Sequence, residues 1–245
     1  KTRPSPPSDP IGRTETAIGV QPVALDSRLV AHALRVERRL PLLLPAEAER
    51  PEEVHRALRY SALGAGKRVR PVLALAVAEL LGAPESDAAL DIACAVELVH
   101  ASSLVLDDLP SMDDAQLRRG RPTVHRAFGE DVAILAAFAL LNRAFALVAE
   151  AGSRLAPRRY APAEMVHHLA EAVGTKGLIG GQALDLRSTP GEMDLERLEY
   201  IHSHKTGALF LAAAELGAMA ADARRRDLEA VGRYAKNLGL AFQIE

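Results

Sequence analysis

The spacing of apolar residues constrains the fold of this chain more than any other feature. Apolar side chains recur at intervals of three and four residues, beginning with Leu25, Leu29, Ala33, Val36 and Leu40, which is the period of an amphipathic helix. Sustained alternation of apolar and polar residues, the pattern of a half-buried strand, occurs nowhere in the sequence. The spacing therefore predicts an all-α domain with no sheet of consequence.

Proline, glycine and short polar segments divide this pattern into about eight predicted helices. Their predicted ranges are 25–41 or 25–45, 54–63, 70–81, 88–106, 131–151, 162–186, 194–220 and 225–244. The helix over 194–220 is expected to break near Thr206 and Gly207. Residues 1–24 are polar and rich in proline, which predicts a disordered leader before a single domain over residues 25–245.

Composition and charge narrow the range of functions. The chain carries 30 Lys and Arg against 32 Asp and Glu, a net charge of −2, so it lacks the positive field that holds nucleic acid. Cys94 is the only cysteine, which excludes an intramolecular disulfide and a multi-cysteine metal site and predicts a cytoplasmic location. No run of residues approaches the roughly 20 consecutive apolar residues of a membrane span, so no membrane span is predicted.

The densest polar signal is an acidic cluster directly after a long apolar stretch. Asp107, Asp108, Asp113 and Asp114 lie within eight residues, and their mutual repulsion disfavours ionisation of all four. A lone acidic run is usually a solvated loop, but here a divalent cation would relieve the repulsion, and ligands that are all carboxylates suit Mg²⁺. Pro110 breaks the helix between Asp107 and Asp113, which allows both carboxylates to reach one metal ion.

Two groups of basic residues accompany the acidic cluster. Arg118, Arg119 and Arg121 follow it closely, and guanidinium groups bind phosphate oxygens in a bidentate geometry. Metal-binding acids beside such arginines suggest a diphosphate ligand. A second group lies within residues 64–71 and lacks both the Ser or Thr and the preceding strand of a Walker A motif. Its glycine-rich turn leads into a helix and could hold a phosphate or be a cap with exposed charges.

Six motifs, in this order, resemble those of the trans-isoprenyl diphosphate synthases, the polyprenyl synthetase family. They are Gly66-Lys67-Arg68-Val69-Arg70-Pro71, Glu97-Leu98-Val99-His100, Asp107-Asp108-Leu109-Pro110-Ser111-Met112-Asp113-Asp114 with Leu117-Arg118-Arg119-Gly120-Arg121-Pro122-Thr123, Gly181-Gln182-Ala183-Leu184-Asp185-Leu186, His204-Lys205-Thr206-Gly207, and Leu238-Gly239-Leu240-Ala241-Phe242-Gln243-Ile244. The form Asp113-Asp114-Ala115 is also similar to that of bacterial carotenoid-pathway and geranylgeranyl diphosphate synthases.

The resemblance implies a single-domain helical bundle of the isoprenoid synthase type around a central apolar cavity, assembled as a homodimer. It implies a condensation of isopentenyl diphosphate with an allylic diphosphate that depends on Mg²⁺. The residues implied to hold isopentenyl diphosphate are Lys67, Arg70, His100 and Arg119. Those implied to face the allylic substrate are Arg118, Lys205, Thr206 and Gln243, with Gln182 and Asp185 lining the same cavity. The implied Mg²⁺ ligands are Asp107 and Asp113, with Asp108 in support. The implied catalytic residues are Asp107, Asp108, Asp113, Arg118, Lys205 and Gln243.

Small residues before the acidic cluster bear on product length. His100 and Ser103 precede Asp107 by seven and four residues, which puts all three on one helix face. In the family that the chain resembles, the side chain five positions before the first Asp often forms the floor of the product cavity. Ser102 occupies that position, followed by Ser103. A small floor lets the growing tail pass, so the expected product is longer than farnesyl, namely geranylgeranyl diphosphate.

Three alternatives to a geranylgeranyl diphosphate synthase stay open. A farnesyl diphosphate synthase would share the same motifs. A non-catalytic subunit of a heteromeric prenyl synthase is favoured only if nothing follows Glu245, because the family continues there into a second Asp-rich motif. For the same reason we expect that this sequence is truncated at its C-terminus. A terpene cyclase would share the first Asp-rich motif but leaves the second basic group, with Lys67 and Arg70, unexplained.

Overall fold

The computed structural model of this chain describes residues 22–83, 85–155, 159–188 and 194–244. Within this part the chain forms eleven α-helices, one π-helical turn and one two-stranded hairpin. The helices are α1 (Pro22–Leu43), α2 (Glu52–Ala62), α3 (Val69–Leu80), α4 (Asp87–Asp107), α5 (Val124–Phe128), α6 (Glu130–Arg154), α7 (Pro162–Val173), α8 (Leu178–Asp185), α9 (Leu195–Ile201), α10 (Gly207–Ala220) and α11 (Arg225–Ile244). The predicted all-α fold class is confirmed.

Helix α4 forms the centre of the bundle. Every residue over 88–99 is buried, including the ion-paired Asp91 and Glu97, as expected for a mostly apolar helix that is surrounded by others. The Ser86 side chain caps it by accepting a hydrogen bond from the Ala89 amide, at 3.2 Å. The helix packs against α3, α6 and α10 and also contacts α1 and α2. Its last turn therefore projects from the core toward the acidic cluster.

Small side chains allow the central helices to pack closely. Ala133, Ala136, Ala137 and Ala144 of α6 are fully buried and recur at helical spacing where α6 faces α4. On α10, a Cβ atom at Gly217 would lie 2.2 Å from the Ala74 carbonyl oxygen of α3. The many alanine residues of the sequence thus lie where the helices of the bundle pack most closely.

Most predicted helix bounds agree with the structure to within three residues, but the range 162–186 does not form one helix. Helix α7 ends at Val173, and α8 begins at Leu178. Between them the chain turns so sharply that a Cβ atom at Gly177 would lie 2.1 Å from the Ala172 carbonyl oxygen. Apolar residues keep the helical spacing on both sides of this turn, so the spacing alone predicts one continuous helix. The spacing does not show that the chain changes direction.

The prediction of a break near Thr206 is confirmed in a specific form. Helix α9 continues into a π-helical turn over His202–Thr206, and α10 begins at Gly207. Insertions of this kind occur frequently at functional sites. At the other end of the chain α1 begins at Pro22, so the predicted leader is three residues too long; residues 1–21 lie outside the described part.

A short hairpin interrupts the helices after the acidic cluster, and the sequence analysis did not predict it. Strands β1 (Leu117–Arg118) and β2 (Arg121–Pro122) pair antiparallel, with Arg118 opposite Arg121. The two connecting residues have positive φ angles, 51° at Arg119 and 76° at Gly120, as a type I′ turn requires. The hairpin is followed by α5, which is too short to show a helical period.

Among the described residues, two helices, α4 and α6, are long and apolar enough to cross a membrane by length and composition. The apolar window of α4 is 78% buried inside the protein, as in the core helix of a globular domain, whereas that of α6 is 39% buried. The sequence analysis identified neither, because polar residues such as Asn142 and Arg143 interrupt the apolar runs. Its expectation of no membrane span stays a prediction.

Candidate active site

The acidic cluster folds back onto the last turn of α4. The helix ends at Asp107, where Pro110 prevents its continuation, and the Asp113 amide then donates a hydrogen bond to the Asp107 carbonyl oxygen at 2.9 Å. The Asp114 amide bonds the Leu109 carbonyl oxygen at 3.0 Å in the same turn. The break thus brings Asp113 back beside Asp107, as the spacing predicts.

The carboxyl group of Asp107 has a raised pKa. Burial raises the pKa of its carboxyl group to about 6, against the lowering influence of Lys205 and Arg118, and the charges of Asp113 and Asp108 add to the rise. The ionised form of Asp107 is therefore disfavoured until a cation approaches.

This pair of carboxylates fits Mg²⁺. In the described part of the chain, no group of three or more His, Cys, Asp or Glu side chains could hold a metal ion. The protein's own contribution to a metal site would therefore be the two carboxylates of Asp107 and Asp113. Mg²⁺ commonly binds through one or two carboxylates and takes its other oxygens from phosphates and water. The donor set therefore suits a metal that is shared with a phosphorylated ligand.

Asp108, the residue after Asp107, holds Arg118. Its side chain is 5% exposed, and its carboxylate accepts hydrogen bonds from the Arg118 Nε atom at 3.0 and 3.2 Å. The Arg118 Nη2 atom also contacts it. Since α4 fixes Asp108 and the hairpin carries Arg118, this ion pair joins the two elements. The predicted support of a metal by Asp108 stays a prediction.

The basic residues and the end of α4 surround one cavity of about 750 Å³. Its wall combines the turn before α3, one face of α4, the hairpin, the π-helical turn and the last helix. Among the residues predicted to bind substrate, those in this wall are Lys67, Arg70, His100, Arg118, Arg119 and Thr206. The structure therefore brings together residues that lie as much as 139 positions apart in the sequence.

Arg70 and His100 show how strongly cationic this cavity is. Burial lowers the pKa of Arg70 to about 10, the charge of Glu97 opposes that change, and the charge of Arg119 adds to it; the guanidinium lies 4.9 Å above the ring of Phe210. Burial and four neighbouring arginines, Arg70 first, hold the pKa of His100 well below its usual value. His100 is therefore neutral near pH 7, and an anion in the cavity would be stabilised by the arginines around it.

The π-helical turn also carries Lys205, which, like Asp107, Asp113, Gln182 and Asp185, is not among the described residues that line this cavity. Lys205 Nζ lies 2.6 Å from Asp185 Oδ2 of α8, and Gly181 allows α8 to approach so closely because a Cβ atom there would lie 2.3 Å from the Lys205 amide nitrogen. Both amide atoms of Gln182 are buried and find no partner among the described residues. Gln243 lies on α11, and its side chain is outside the described part.

Comparison with known proteins identifies the family. Residues 51–245 match the polyprenyl synthetase family, which is more than half of the chain. The chain belongs to this family. The polyprenyl synthetase chain is 47% identical over 222 residues to geranylgeranyl pyrophosphate synthase 11, chloroplastic, of Arabidopsis thaliana, covering 89% of this chain and 61% of the relative.

Two further similarities agree with this assignment. The polyprenyl synthetase chain is 45% identical over 223 residues to the heterodimeric geranylgeranyl pyrophosphate synthase large subunit 1, chloroplastic, of the same plant, covering 89% of this chain and 59% of the relative. Its fold is similar to the apo crystal structure of an FPP/GFPP synthase from Zymomonas mobilis, with a TM-score of 0.82, 35% identity, and coverage of 91% of this chain and 80% of that one. The chain spans about 60% of the length of the plant relatives.

The two serines that bear on product length in the polyprenyl synthetase chain face different surroundings. Ser102 is buried, and its Oγ atom donates to the Ala137 carbonyl oxygen of α6 at 2.8 Å. Ser103 donates to the His100 carbonyl oxygen of its own helix at 3.0 Å. Ser102 thus lies in the interface of α4 and α6, and its role as the floor of a product cavity stays a prediction.

Two residues of the polyprenyl synthetase site were missed by the sequence analysis. Arg68, which was grouped with Lys67 and Arg70, is 4% exposed and donates hydrogen bonds to Glu37, Glu97 and the Gly64 carbonyl oxygen. Tyr60 donates to the Pro122 carbonyl oxygen at 2.8 Å, and the Arg121 guanidinium lies 3.9 Å above its ring. The carboxylate partners of Arg68 lie at least 29 positions away in the sequence, and the partners of Tyr60 lie at least 61 positions away. No local sequence pattern could therefore reveal these contacts.

Proposed function

We propose that this protein is a prenyltransferase that condenses isopentenyl diphosphate with an allylic diphosphate in the presence of Mg²⁺, and that its product is geranylgeranyl diphosphate. The observation that carries this proposal is the cavity of about 750 Å³ in which two groups of cations meet. Arg118 of its wall is bound by Asp108 and lies close enough to Asp107 and Asp113 for their charges to raise its pKa. One group comes from the turn before α3 and one from the hairpin. Two cationic groups suit two diphosphates.

The residues divide between the two substrates as the family resemblance implies, so that the adjacent Arg118 and Arg119 of the hairpin serve different diphosphates. Lys67, Arg70 and Arg119 hold the diphosphate of isopentenyl diphosphate, and neutral His100 donates one N–H to it. Arg118 faces the diphosphate of the allylic substrate from the other side of the cavity. Since Arg119 also contacts the Ala65 carbonyl oxygen, the hairpin and the turn before α3 hold the two substrates in one orientation.

The allylic side of the cavity stabilises the departure of the diphosphate. When bound by Asp107 and Asp113, Mg²⁺ supplies positive charge to the leaving diphosphate oxygens. Lys205 and Arg118 face the same oxygens, and Lys205 leaves Asp185 to reach them. The allylic C–O bond breaks, the isopentenyl double bond attacks the allylic carbon, and the proton lost from the adduct passes to the departed diphosphate, so no basic side chain is required.

The alternatives lack a specific observation in their favour. A terpene cyclase binds one diphosphate and has no use for the cationic group of Lys67 and Arg70. A scaffold subunit has no physical need for the disfavoured charge of Asp107. The plant relatives carry the name geranylgeranyl pyrophosphate synthase, and the small residues Ala101 and Ser102 of α4 support the same product over the farnesyl compound.

Helix α6 supports a homodimer. Ile134, Leu135 and Phe138 lie on one side of it and are 38%, 55% and 61% exposed. Isolated apolar residues on a surface need no explanation, but a contiguous apolar face of this kind marks an interaction surface. A second copy of the chain, with the same face, would cover it in a two-fold arrangement. The cytoplasmic location stays a prediction, and the plant relatives compared above are chloroplastic.

Product analysis tests the activity. The protein is incubated with Mg²⁺, labelled isopentenyl diphosphate and, in separate reactions, dimethylallyl, geranyl or farnesyl diphosphate, and the dephosphorylated products are separated by chromatography. A C20 alcohol is the expected product, and it should disappear when EDTA is added. Absence of elongation from every primer would reject the proposed activity, and a C15 end point would reject the proposed product.

A further inference from the structure

One of the three cations in the turn before α3 differs from the other two. All three line the cavity, where Lys67 is exposed and Arg70 is half-buried. Arg68 lies between them in the sequence, yet its side chain is only 3% exposed. A buried guanidinium requires compensating partners, and the partners of Arg68 show what it does.

All three guanidinium nitrogens of Arg68 donate to protein oxygens from three different segments. Nε donates to Glu37 Oε1 of α1 at 2.6 Å, Nη1 to Glu97 Oε1 of α4 at 2.7 Å, and Nη2 to the Gly64 carbonyl oxygen at 2.7 Å. A lysine could not make these contacts together, because its ammonium is a point charge without the planar fork. Four of its five N–H groups are thus directed at protein oxygens, so the side chain is held mainly by the protein itself.

The backbone of Arg68 adopts a conformation that requires support. Its φ and ψ angles are 50° and 33°, in the left-handed region that side chains with a Cβ rarely occupy. Such a conformation persists only where the surroundings determine it. The residue immediately precedes Val69, the first residue of α3, so the same conformation sets the direction in which α3 leaves the turn.

We propose that Arg68 is a positioning residue, whose ion pairs with Glu37 and Glu97 hold residues 64–70 so that Lys67 and Arg70 face the diphosphate of isopentenyl diphosphate. The inference rests on the proposed function and goes beyond it, because it assigns a role to α1, which supplies no side chain to the cavity wall. Glu97 lies three residues before His100 on α4. The ion pair therefore fixes the turn relative to the helix that presents His100.

The chain offers a matched control for this role. Arg39 of α1 is joined to Asp91 of α4 by hydrogen bonds of 2.6 and 3.0 Å, so this pair also connects the two helices, but it is not part of the cavity wall. Asp91 retains Arg154 as a partner when Arg39 is removed. Arg39→Gln therefore weakens the connection of α1 to α4 without affecting the turn, whereas Glu37→Gln removes one partner of Arg68 from the same helix.

The test compares Arg68→Lys, Glu37→Gln and Arg39→Gln with the native protein in steady-state assays. For Arg68→Lys the KM for isopentenyl diphosphate is expected to rise about tenfold, with kcat and the KM for the allylic substrate within about threefold. Glu37→Gln should show the same selective change in smaller degree, and it serves as the principal variant if Arg68→Lys fails to fold. Arg39→Gln should lower the thermal unfolding midpoint and leave both KM values unchanged.

Hydrogen exchange provides a readout that does not depend on activity. Amides of residues 64–70 should exchange at least about tenfold faster in Arg68→Lys and not in Arg39→Gln. Unchanged KM for isopentenyl diphosphate in a folded Arg68→Lys variant, or an equal rise in Arg39→Gln, would overturn the inference. If the native protein makes no product, the proposed function fails, and the exchange rates of residues 64–70 alone decide whether Arg68 holds the turn.

Discussion

At the scale of single residues, the acidic cluster divides into side chains with different tasks. Asp107 is disfavoured as an anion because of burial and its neighbours, whereas Asp114 is exposed and accepts a hydrogen bond from Gln116. Asp107→Asn should therefore lower kcat about a hundredfold or more, because it removes half of the protein's contribution to the metal. The measurement is the rate of product formation at increasing Mg²⁺ concentration.

Asp114→Asn is the matched control, since it makes the same chemical change one residue after the proposed ligand Asp113. It should retain activity within about threefold. If the two variants lose activity equally, the assignment of the metal to Asp107 and Asp113 is wrong, and the cluster acts through its total charge.

The sequence predicted these residues as a set but not their division of labour. The spacing of Asp107, Pro110 and Asp113 was sufficient to predict that the chain folds back at Pro110, because proline acts locally. The attachment of Asp108 to Arg118 and of Arg68 to Glu97 depends on how α4 lies relative to two loops. Such partners are set by tertiary packing, which local sequence does not encode.

At the scale of elements, the hairpin decides where Arg118 and Arg119 lie. Gly120 has a φ angle of 76°, and a Cβ atom there would meet nothing within 4 Å, so Gly120→Ala costs only backbone strain of about 1 kcal/mol. Because that strain acts on the turn between the two strands, we expect it to displace the arginines and raise the KM for a diphosphate substrate. Steady-state kinetics with both substrates measure the effect.

Gly82→Ala isolates the kinetic effect from the loss of stability. Gly82 has a φ angle of 80° and equally open surroundings, but it lies after α3, away from the cavity wall. Both variants should lower the unfolding midpoint by a few degrees, and only Gly120→Ala should alter KM. Equal KM values in the two variants would show that the turn does not determine the position of the arginines.

The elements also show where periodicity succeeds and fails. It located α4 and α6 to within three residues, since long helices average over many turns. It joined α7 to α8 because apolar residues on either side of Gly177 happen to stay in phase, and it missed the hairpin because two-residue strands have no period. The Arg119-Gly120 pair was the available signal, since glycine at the second position of a two-residue turn favours a type I′ hairpin.

At the scale of the whole molecule, the interface of α4 and α6 bears on product length. Ser102 lies in it, facing the Ala137 carbonyl oxygen. Ser102→Phe adds a large ring where α4 and α6 pack on small residues, so it should shift the product from C20 to C15, at a cost in stability of about 1–3 kcal/mol from overpacking. Chromatography of the dephosphorylated products and thermal unfolding measure the two effects.

Ser102→Ala separates volume from hydrogen bonding at the same position. It removes the bond to Ala137 without adding a side chain, so the product should stay at C20. A C20 product from a folded Ser102→Phe variant would show that the growing tail does not pass this part of the interface.

The exposed face of α6 is the other property that only the whole molecule reveals, because the sequence does not distinguish it from the buried face of the same helix. Phe138 is 61% exposed at its centre, and a charge there would have to be desolvated in a two-fold contact with its own copy. If the protein forms the proposed homodimer, Phe138→Glu should therefore convert it into a monomer, as measured by size-exclusion chromatography with light scattering. Leu80→Glu introduces the same charge at a side chain that is 78% exposed on α3, and it should remain dimeric. A native protein that is already monomeric, or equal dissociation of both variants, would contradict the assignment of this face to a homodimer.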